Sequence, residues 1–438
     1  MSTPADLVAV DASVSGGRWT PADVVVVGGG PAGASAAITC ARDGRRVVLV
    51  DKARFPRDKF CGDGLTTGAL RLLEGLGLRP ETVESWTPAT DVMVSSPSGR
   101  TVRLPLPRGQ GVFAAIARRA DLDAALLQVA VDAGVRVLDG HAVVGVEQRA
   151  DRVVVTADGV DELHARYLIA ADGMWSPIRK LLGLGLDLSS SANTSGRQGG
   201  TYLGEWHAFR QYFTSVGPAA RDLWVWFEPD ILPGYVWSFP LPDGGANVGF
   251  GIQRGGAVTT QDMKALWPEL LRRPRIADVL GPDARAESAH RAWPIPARID
   301  DVPLTAGRTL FVGDAAAACD PMTGEGIGQA LVTGIAAAKA IEHGEPDGTA
   351  VVRSVYEESV RRELLADHRM SMLLIRALRH RRGARAGVAI AGATPWTRRN
   401  FARWLFEDEP RAIAVTPGRW HRHFLARPGA YRETPPVL

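Results

Sequence analysis

A glycine-rich turn near the start of the 438-residue chain limits the possible folds more than any other feature. It follows four consecutive valines at residues 24–27, a run typical of a strand buried on both faces of a parallel sheet. An alanine-rich helical stretch comes next at 34–43, and a second apolar run at 47–50 ends in Asp51. This order of strand, glycine turn, helix, strand and acid predicts a Rossmann-type α/β domain. A glycine turn that binds nothing is the alternative.

Gly28, Gly30 and Gly33 have the G-x-G-x-x-G spacing that suits a dinucleotide. The first glycine permits a tight turn, the second lets the backbone approach a pyrophosphate, and the third lets helix and strand pack closely. The diphosphate would lie at the helix N-terminus, where free N–H groups and the helix dipole favour negative charge. Asp51 can accept hydrogen bonds from ribose hydroxyls. The predicted cofactor contacts in this segment are Gly28, Gly30, Pro31, Ala32, Gly33, Asp51 and Lys52.

Two later strand ends carry further acids and glycines. Residues 166–171 are predicted to form another buried strand, which leads into Asp172 and Gly173 in a D-G-x-x-S-x-x-R pattern. Residues 309–312 lead into Gly313 and Asp314, and a predicted helix begins near residue 328. Between them lies a glycine-rich loop with Pro321, Gly324, Gly326 and Ile327. Each segment could also be a plain turn with capping side chains.

The three segments, in this order, resemble the dinucleotide, DG and GD motifs of the p-hydroxybenzoate-hydroxylase-like flavoproteins over residues 20–345. The resemblance implies FAD as the cofactor. It implies that Asp172 and Gly173 help to hold the dinucleotide, that Asp314 contacts the ribitol, and that the loop after Gly313 faces the flavin ring. Arg119 begins an R-x-x-hydrophobic-D segment in which the family's arginine approaches the cofactor; a solvated helix face is the alternative.

Two further segments resemble the geranylgeranyl reductase family. Residues 55–66 match F-P-R-x-K-x-C-G-D-G-L, and residues 233–240 match P-G-Y-x-W-x-F-P. The resemblance implies that a flavin-dependent reductase saturates C=C bonds of an apolar prenylated substrate, either a geranylgeranyl group or a menaquinone tail. It places four more residues beside the cofactor: Arg57, Cys61, Gly62 and Asp63. It places three at the substrate as catalytic candidates: Cys61, Tyr235 and Trp237.

The aromatic residues of the second signature alternate along a predicted strand. Tyr235, Trp237 and Phe239 should therefore point to one face. Three rings on one face can wall an apolar tunnel or pack a core. Cys61 lies in a glycine-rich turn, where it could donate a proton or only shape the pocket, whereas a lone cysteine is usually a small buried hydrophobe.

The motifs divide the chain into three parts. The strand-rich segments between the motifs predict an inserted antiparallel β-sheet, and the C-terminal part is predicted to be helical. The expected parts are a discontinuous FAD-binding domain at 20–85, 110–185 and 295–345, a substrate domain at 86–109 and 186–294, and a helical region at 346–438.

The C-terminal region is strongly basic, with 13 arginines, no lysine and four acids in residues 371–438. Arginine together with Trp and Phe suits a membrane interface of anionic lipids. The alternative is a docked helical cap with a solvated basic face.

Composition excludes several other classes. The net charge of +3 and the lack of a recognisable module argue against nucleic-acid binding. The three cysteines are far apart, have no metal-ligand spacing and suggest a reducing compartment, so we expect no metal and no disulfide. No signal peptide is evident, so a cytoplasmic protein is expected, peripheral at the inner face of the membrane if the basic region binds lipid.

Two other functions stay open at this stage. The first is oxygen chemistry on the same scaffold, as in a monooxygenase or halogenase; a halogenase should show W-x-W-x-I-P, but Phe227 and Glu228 follow Trp226. The second is a flavin-containing lipid carrier without turnover, supported only by the basic region. No second nucleotide-binding turn is visible, so the external reductant is either transiently bound NAD(P)H or ferredoxin.

Overall fold

The computed structural model describes residues 22–184 and 204–432, apart from 423 and 425. Its strands are, in chain order, β1 (Ala22–Val27), β2 (Val47–Asp51), β3 (Gly64–Leu65), β4 (Thr87–Pro88), β5 (Asp91–Ser95), β6 (Thr101–Pro105), β7 (Ala115–Ile116), β8 (Arg136–Asp139), β9 (Val143–Gln148), β10 (Val153–Ala157), β11 (Leu163–Ala170), β12 (Trp206–Thr214), β13 (Leu223–Trp226), β14 (Val236–Pro240), β15 (Ala246–Gln253), β16 (Arg285–Ala286), β17 (Arg291–Ile295), β18 (Thr305–Ala306) and β19 (Thr309–Phe311). Its helices are α1 (Pro31–Arg42), α2 (Thr67–Gly75), α3 (Arg119–Asp132), α4 (Pro177–Leu181), α5 (Met263–Arg272), α6 (Pro274–Leu280), α7 (Ile327–Gly344), α8 (Thr349–Val360), α9 (Ala366–Leu378), α10 (Arg381–Ala391) and α11 (Pro395–Leu405).

The first sheet has the predicted parallel core, in the order β19-β11-β1-β2-β8. Val24 pairs with Tyr167 of β11 on one side and with Val47 of β2 on the other. The four valines of β1 are buried, because helices cover this part of the sheet. Helices α1 and α7 pack so closely that a Cβ on Gly334 would lie 2.2 Å from the Ala32 carbonyl oxygen. The glycine turn and the GD segment thus share one packed unit.

The second sheet has the order β16-β12-β15-β14-β13-β5-β6, with β17 also paired to β12. It is antiparallel as expected, except that β5 and β13 run parallel, with Val92 opposite Leu223. The exception arises because the β5–β6 hairpin comes from a separate part of the chain, so no short turn fixes its direction relative to β13. Phe209, Phe250 and Trp267 of α5 form part of this sheet's own core.

The chain after α7 is mainly helical and returns to both sheets. A short π-helical segment, Arg361–Leu365, joins α8 to α9. Helices α10 and α11 then pack against β6, and Val388, Ala391 and Ala402 belong to the same hydrophobic cluster as Val102 and Leu104 of that strand. Near the end of the described residues, Ala430 forms a bridge with Val112. The C-terminal helices therefore form a wall of the molecule rather than a detached tail.

Candidate active site

A cavity of about 1180 Å³ lies where the first sheet, the second sheet and the C-terminal helices meet. Two catalytic candidates line it, Trp237 of β14 and Tyr235 of the loop before that strand. Nearly all of the predicted cofactor residues line it as well. The cofactor residues that line it are Gly28, Gly30, Pro31, Ala32, Asp51, Lys52, Arg57, Cys61, Gly62, Asp63, Arg119, Asp172, Gly173, Gly313, Asp314, Pro321, Gly324, Gly326 and Ile327. We call this part of the cavity the cofactor end.

Gly33 is the one predicted cofactor residue that does not line the cavity. Its role is the packing role expected of the third glycine, since an added Cβ would lie 1.8 Å from the Gly28 carbonyl oxygen. Gly28 itself has φ +108°, and its added Cβ would lie 2.2 Å from the Ala171 oxygen. At Gly30 the closest atom to an added Cβ is the Arg57 guanidinium, 3.5 Å away, so the turn is open there. This openness at the N-terminus of α1 fits a diphosphate.

Asp51 ties the glycine turn to the end of β2. One carboxylate oxygen accepts from the Gly29 N–H at 2.6 Å, and the other accepts from the Ala53 N–H at 2.8 Å. A carboxylate has about four acceptor positions, so both oxygens keep capacity for ribose hydroxyls. The geometry therefore agrees with the predicted use of Asp51, and the ribose contact itself stays a prediction.

Asp172 makes the contacts of a helix cap. Its carboxylate accepts from the Ser176 hydroxyl and the Ile178 N–H, both at 2.8 Å, at the start of α4. These are the contacts of the plain-turn alternative, although the residue also lines the cavity. Burial raises the pKa of Asp172 to about 6.

Arg179, the last residue of the D-G-x-x-S-x-x-R pattern, joins the two later motifs. Its side chain is fully buried and donates to the carbonyl oxygens of Ala315 and Pro303, each at 2.6 Å. Its guanidinium carbon lies 3.9 Å from the centre of the Phe311 ring. Arg179 therefore fixes the position of the DG segment relative to the GD segment.

Hydrogen bonds to α7 and α9 hold the GD segment and the loop that follows it. The Gly313 N–H donates to the Thr333 hydroxyl of α7 at 2.9 Å. Asp320 accepts from the N–H groups of Met322 and Thr323, at 3.0 and 2.9 Å, and from the Ser371 hydroxyl of α9 at 2.6 Å. Half-buried Asp314 lines the cavity beside this loop. The α7 N-terminus thereby faces the cofactor end, as the flavin-loop resemblance implies.

Arg119 is not on a solvated helix face. It is 7% exposed and donates twice to Asp123, at 2.7 Å for each bond. Arg57 donates to the same carboxylate at 2.9 Å. The solvated alternative is wrong because two arginines converge on one buried acid at the cavity wall, which gives this wall a net positive charge beside the expected diphosphate.

Cys61 is held by residues from the second sheet. The Asn247 side-chain N–H donates to the Cys61 carbonyl oxygen at 2.9 Å, while its amide oxygen accepts from Trp237 Nε1 at 3.1 Å. The Cys61 Sγ accepts from the Asp63 N–H at 3.3 Å. Burial raises the pKa of the Cys61 thiol to about 11, so this thiol is protonated near neutral pH.

Asp63 is completely buried beside Cys61 and has φ +65°. One carboxylate oxygen, Oδ2, accepts from the Tyr212 hydroxyl at 2.6 Å and from Asn247 Nδ2 at 2.8 Å. Its other oxygen, Oδ1, is buried without a hydrogen-bond partner among the described residues. Burial raises the pKa of Asp63 to about 6 against the opposing effect of these hydrogen bonds and of Arg210.

Tyr235, Trp237 and Phe239 share one face of the strand, as their alternation predicts. Successive ring centroids are 6.2 and 6.3 Å apart, and all three side chains line the cavity. The Tyr235 hydroxyl donates to the Thr323 carbonyl oxygen, which links the second sheet to the flavin loop. An added Cβ on Gly64 would lie 3.1 Å from the Phe239 ring, so the Cys61 turn packs directly on these aromatics.

The far part of the cavity, which we call the apolar end, is walled by hydrocarbon side chains. The second sheet contributes Val92, Val94, Leu104, Val225 and Phe227. The C-terminal helices contribute Leu374, Val388, Ile390, Phe401 and Trp404. The cavity thus passes without interruption from a polar, glycine-rich cradle to an apolar compartment.

Several site residues were missed by sequence reasoning. Asn247 and Tyr212 organise the Cys61 turn, and Arg411 pairs with Asp320 and Glu407 under the flavin loop. Asn247 begins the segment 247–251, which lies shortly after the aromatic signature at 233–240, and this position is the one signal that could have found it. In the sequence, Arg411 is only one of the arginines of the basic C-terminal region. Nothing in the residues around it indicates that it pairs with Asp320, which lies much earlier in the chain.

The comparisons with known proteins agree with this geometry. Residues 21–199 match the family described as FAD binding domain. The menaquinone reductase of Mycolicibacterium smegmatis is 33% identical over 81% of this chain and 85% of its own length. A digeranylgeranylglycerophospholipid reductase of Methanopyrus kandleri is 32% identical over 75% of this chain and 82% of its own length. The chain belongs to the geranylgeranyl reductase family.

A solved structure supports the fold of this family member. A geranylgeranyl bacteriochlorophyll reductase-like protein from Thermoplasma acidophilum superimposes with a TM-score of 0.73 at 21% identity, covering 91% of this chain and 99% of the other. The mixed α/β FAD-binding fold is therefore confirmed. With the FAD-binding match and the reductase relatives, the protein is an FAD-dependent oxidoreductase.

Proposed function

We propose that this reductase saturates C=C bonds in the polyprenyl part of a lipid or quinone. The observation that carries the proposal is the continuity of the cavity, because the apolar end begins at the cofactor end and has room for a hydrocarbon chain. The named relatives act on menaquinone and on digeranylgeranylglycerophospholipid. Either a menaquinone tail or a geranylgeranyl group fits the chemistry of the walls.

When bound and reduced, FAD would supply the hydride for the double bond. The chain's own part is to hold an unactivated alkene in place, since such bonds accept hydride only when the reacting atoms are closely positioned. Trp237 and Phe239 form one side of the junction between the two ends, with Gly62 and Gly64 packed against them. Tyr235 fixes that side to the flavin loop. Cys61, Tyr235 and Trp237 are in our proposal the residues nearest the reacting bond.

The FAD contacts at single residues are proposals of the same kind. Gly30 leaves room for the diphosphate, Gly28 permits the tight turn beside Ala171, and Asp51 keeps acceptor capacity for the ribose. Asp314 and the loop before α7 face the part of the cavity where the ribitol and the ring would lie. Arg119 and Arg57 supply positive charge nearby.

The test is an anaerobic single turnover. The purified holoprotein is photoreduced, mixed with a menaquinone or a geranylgeranyl lipid, and its products are analysed by mass spectrometry. A mass gain of two hydrogens with reoxidation of the flavin supports the proposal. A product that forms only with dioxygen and carries oxygen or a halogen would overturn it in favour of the oxygen chemistry.

The tryptophan pair that invited the halogenase comparison gives that alternative no support. Trp224 and Trp226 stack on each other at 5.2 Å and belong to the second sheet's own core. Val225 and Phe227 line the cavity instead. Glu228, at the position after this run, is buried in ion pairs with Arg273 and Arg275.

We propose that the protein works in the cytoplasm at the inner membrane surface, where its substrate is dissolved. None of the helices in the described ranges combines the length and apolarity that a membrane crossing needs. Leu373, Ile390 and Trp396 are 57%, 67% and 61% exposed on α9, α10 and α11, and Ile390 also lines the cavity. Exposed Arg381 and Arg382 lie on the same α10. This combination suits an anionic lipid surface at the mouth of the apolar end.

The electron donor is proposed to be NAD(P)H, bound transiently, or reduced ferredoxin. Anaerobic mixing of the oxidised holoprotein with each donor separates them, because bleaching of the flavin absorbance reports reduction directly. A donor that bleaches the flavin within a turnover time supports its role, and one that leaves the absorbance unchanged is excluded.

A further inference from the structure

Among the cavity-lining acids that the structure describes, Asp63 has one buried carboxylate oxygen with two hydrogen bonds and one with none. Oδ2 takes both hydrogen bonds, from Tyr212 and Asn247, while Oδ1 has no partner in the described part of the chain. A buried carboxyl oxygen without a partner is costly and needs an explanation, such as a proton or a ligand that completes it. Asp63 lines the cavity, so that partner can come from the cavity.

The surrounding groups fix the orientation of this carboxyl. Asn247 also holds the Cys61 carbonyl and the Trp237 indole, so the acid belongs to the same network as two catalytic candidates. The Tyr212 ring is covered by the Arg210 guanidinium, whose carbon lies 4.1 Å from the ring centre. A rotation of Asp63 would break both bonds to Oδ2, and the side chain is therefore locked with Oδ1 as its free end.

We propose that Asp63 is the proton donor of the reaction, releasing its proton from Oδ1 to the alkene carbon that does not receive hydride. The proposal deepens the reductase function and rests on it. The O–H bond of the neutral carboxyl breaks as one C–H bond forms, and the hydride from the reduced cofactor forms the other. The alkene is reduced by two electrons and the cofactor is oxidised by two, and water that enters the cavity after the product has left returns the proton to Asp63.

The electrostatic setting supports an acid that changes its protonation state near neutral pH. Burial raises the pKa of Asp63 to about 6, whereas the hydrogen bonds from Tyr212 and Asn247 and the charges of Arg210 and Arg119 lower it. After the transfer, Tyr212 and Asn247 still donate to the new carboxylate. The Cys61 thiol, whose pKa is raised to about 11 by burial, is a much weaker acid.

The main variant is Asp63→Asn. An amide oxygen can still accept from Tyr212 and Asn247, so the network survives, but the group at the Oδ1 position can no longer supply an acidic proton. With photoreduced holoprotein we expect at least a 100-fold slower two-hydrogen transfer, which is about the lower contribution of a general acid. Asp63 also lines the cofactor end, so the FAD affinity of the variant is measured separately, and the rates are compared on protein that is saturated with FAD and fully photoreduced.

The pH profile separates a proton donor from a merely structural residue. The wild-type single-turnover rate should fall as pH rises through about 6, because the neutral carboxyl is the active form. Tyr212→Phe removes a bond that stabilises the carboxylate, and the midpoint should therefore move to higher pH. Cys61→Ser, whatever its rate, should keep the wild-type midpoint. If Asp63→Asn fails to fold, an unmoved midpoint in Tyr212→Phe overturns the proposal.

Further results would also overturn it. Asp63→Asn could turn over at the wild-type rate, or the midpoint could vanish in Cys61→Ser and persist in Asp63→Asn. If the wild type reduces no polyprenyl compound at all, the reductase function fails separately. Infrared difference spectra of the oxidised holoprotein then still test the acid, since a carboxyl band that titrates near the same midpoint should be present in the wild type and absent in Asp63→Asn.

Discussion

The two ends of the cavity are built in different ways. The cofactor end is made of short segments in which neighbouring residues act together, such as Gly28 and Gly33 within one turn. The apolar end is made of single side chains from β5, β6, β13 and α9–α11, which are far apart in the chain. Chemistry that needs backbone N–H groups and tight turns leaves a local sequence pattern, whereas a hydrocarbon wall needs only volume and apolarity. The following predictions test whether the two ends can be changed independently.

Gly33→Ala should damage the cofactor end most. An added Cβ would lie 1.8 Å from the Gly28 oxygen, so strand and helix must separate at the diphosphate site. We expect an overpacking cost of roughly 3 kcal/mol, equivalent to about a 100-fold loss of FAD affinity. Titration of the apoprotein with FAD measures this. Gly75→Ala is the matched control, because its Cβ would meet no atom within 4 Å; equal losses in both variants would contradict the packing role of Gly33.

Asp63→Asn should stabilise the apoprotein at the junction of the two ends. The folded-state pKa of about 6 lies above the ordinary aspartate pKa of 3.8, so the neutral form contributes stability that is lost as pH rises through about 6. Near pH 8 the amide should therefore raise the free energy of unfolding by about 2 to 3 kcal/mol, and near pH 4 by much less. Urea unfolding at both pH values measures the difference. A variant that is less stable than the wild type at the higher pH would contradict the raised pKa.

Gly387→Phe should affect the apolar end alone. This α10 glycine lines the cavity, and a Cβ there would meet no atom within 4 Å, so the added ring enters free space. We expect the KM for a long polyprenyl substrate to rise about tenfold, which is about the effect of losing the contacts of one or two methylene groups. The affinity for FAD should be unchanged. Ala389→Phe adds the same ring two residues away, at a position that does not line the cavity. Weaker FAD binding in Gly387→Phe would show that the two ends are not independent.

Arg381→Gln and Arg382→Gln should have the smallest effect, confined to the mouth of the apolar end. Each removed charge should weaken binding to vesicles with anionic lipid by about 1 kcal/mol, and added salt should reduce the difference. Sedimentation with vesicles measures the partition. Arg149→Gln is the control, since it removes an exposed arginine that pairs with Glu147 beside the first sheet. If the control variant weakens vesicle binding equally, the effect comes from net charge in general, and the proposed role of Arg381 and Arg382 is contradicted.

Much of the cofactor end could be predicted from sequence, because its geometry is imposed by residues a few positions apart. The spacing of Gly28, Gly30 and Gly33 already requires the turn, and the alternation of Tyr235, Trp237 and Phe239 already directs them to one face. The solvated alternative for Arg119 could be excluded only from the structure, since its burial depends on packing against Asp123 and Arg57 in three dimensions.

The contacts that sequence could not supply join distant segments. Asn247 lies 184 positions from Asp63, and Arg179 contacts the Ala315 oxygen across 136 positions. The parallel pairing of β5 with β13 depends likewise on where an inserted hairpin docks. No local periodicity encodes such pairs, because each partner alone is an ordinary polar residue or an ordinary strand.

The late position of α9–α11 in the chain has a consequence for synthesis. The last element of the cofactor cradle, α7, ends at Gly344, before any of the wall helices has been made. Because chains fold from the N-terminus as they emerge, the cradle can take up FAD while the apolar faces of β5 and β6 are still uncovered. Until α10 and α11 reach β6, these apolar faces are open to aggregation with other growing chains. Binding of FAD during this interval would stabilise the folded cradle and so lower the chance of aggregation.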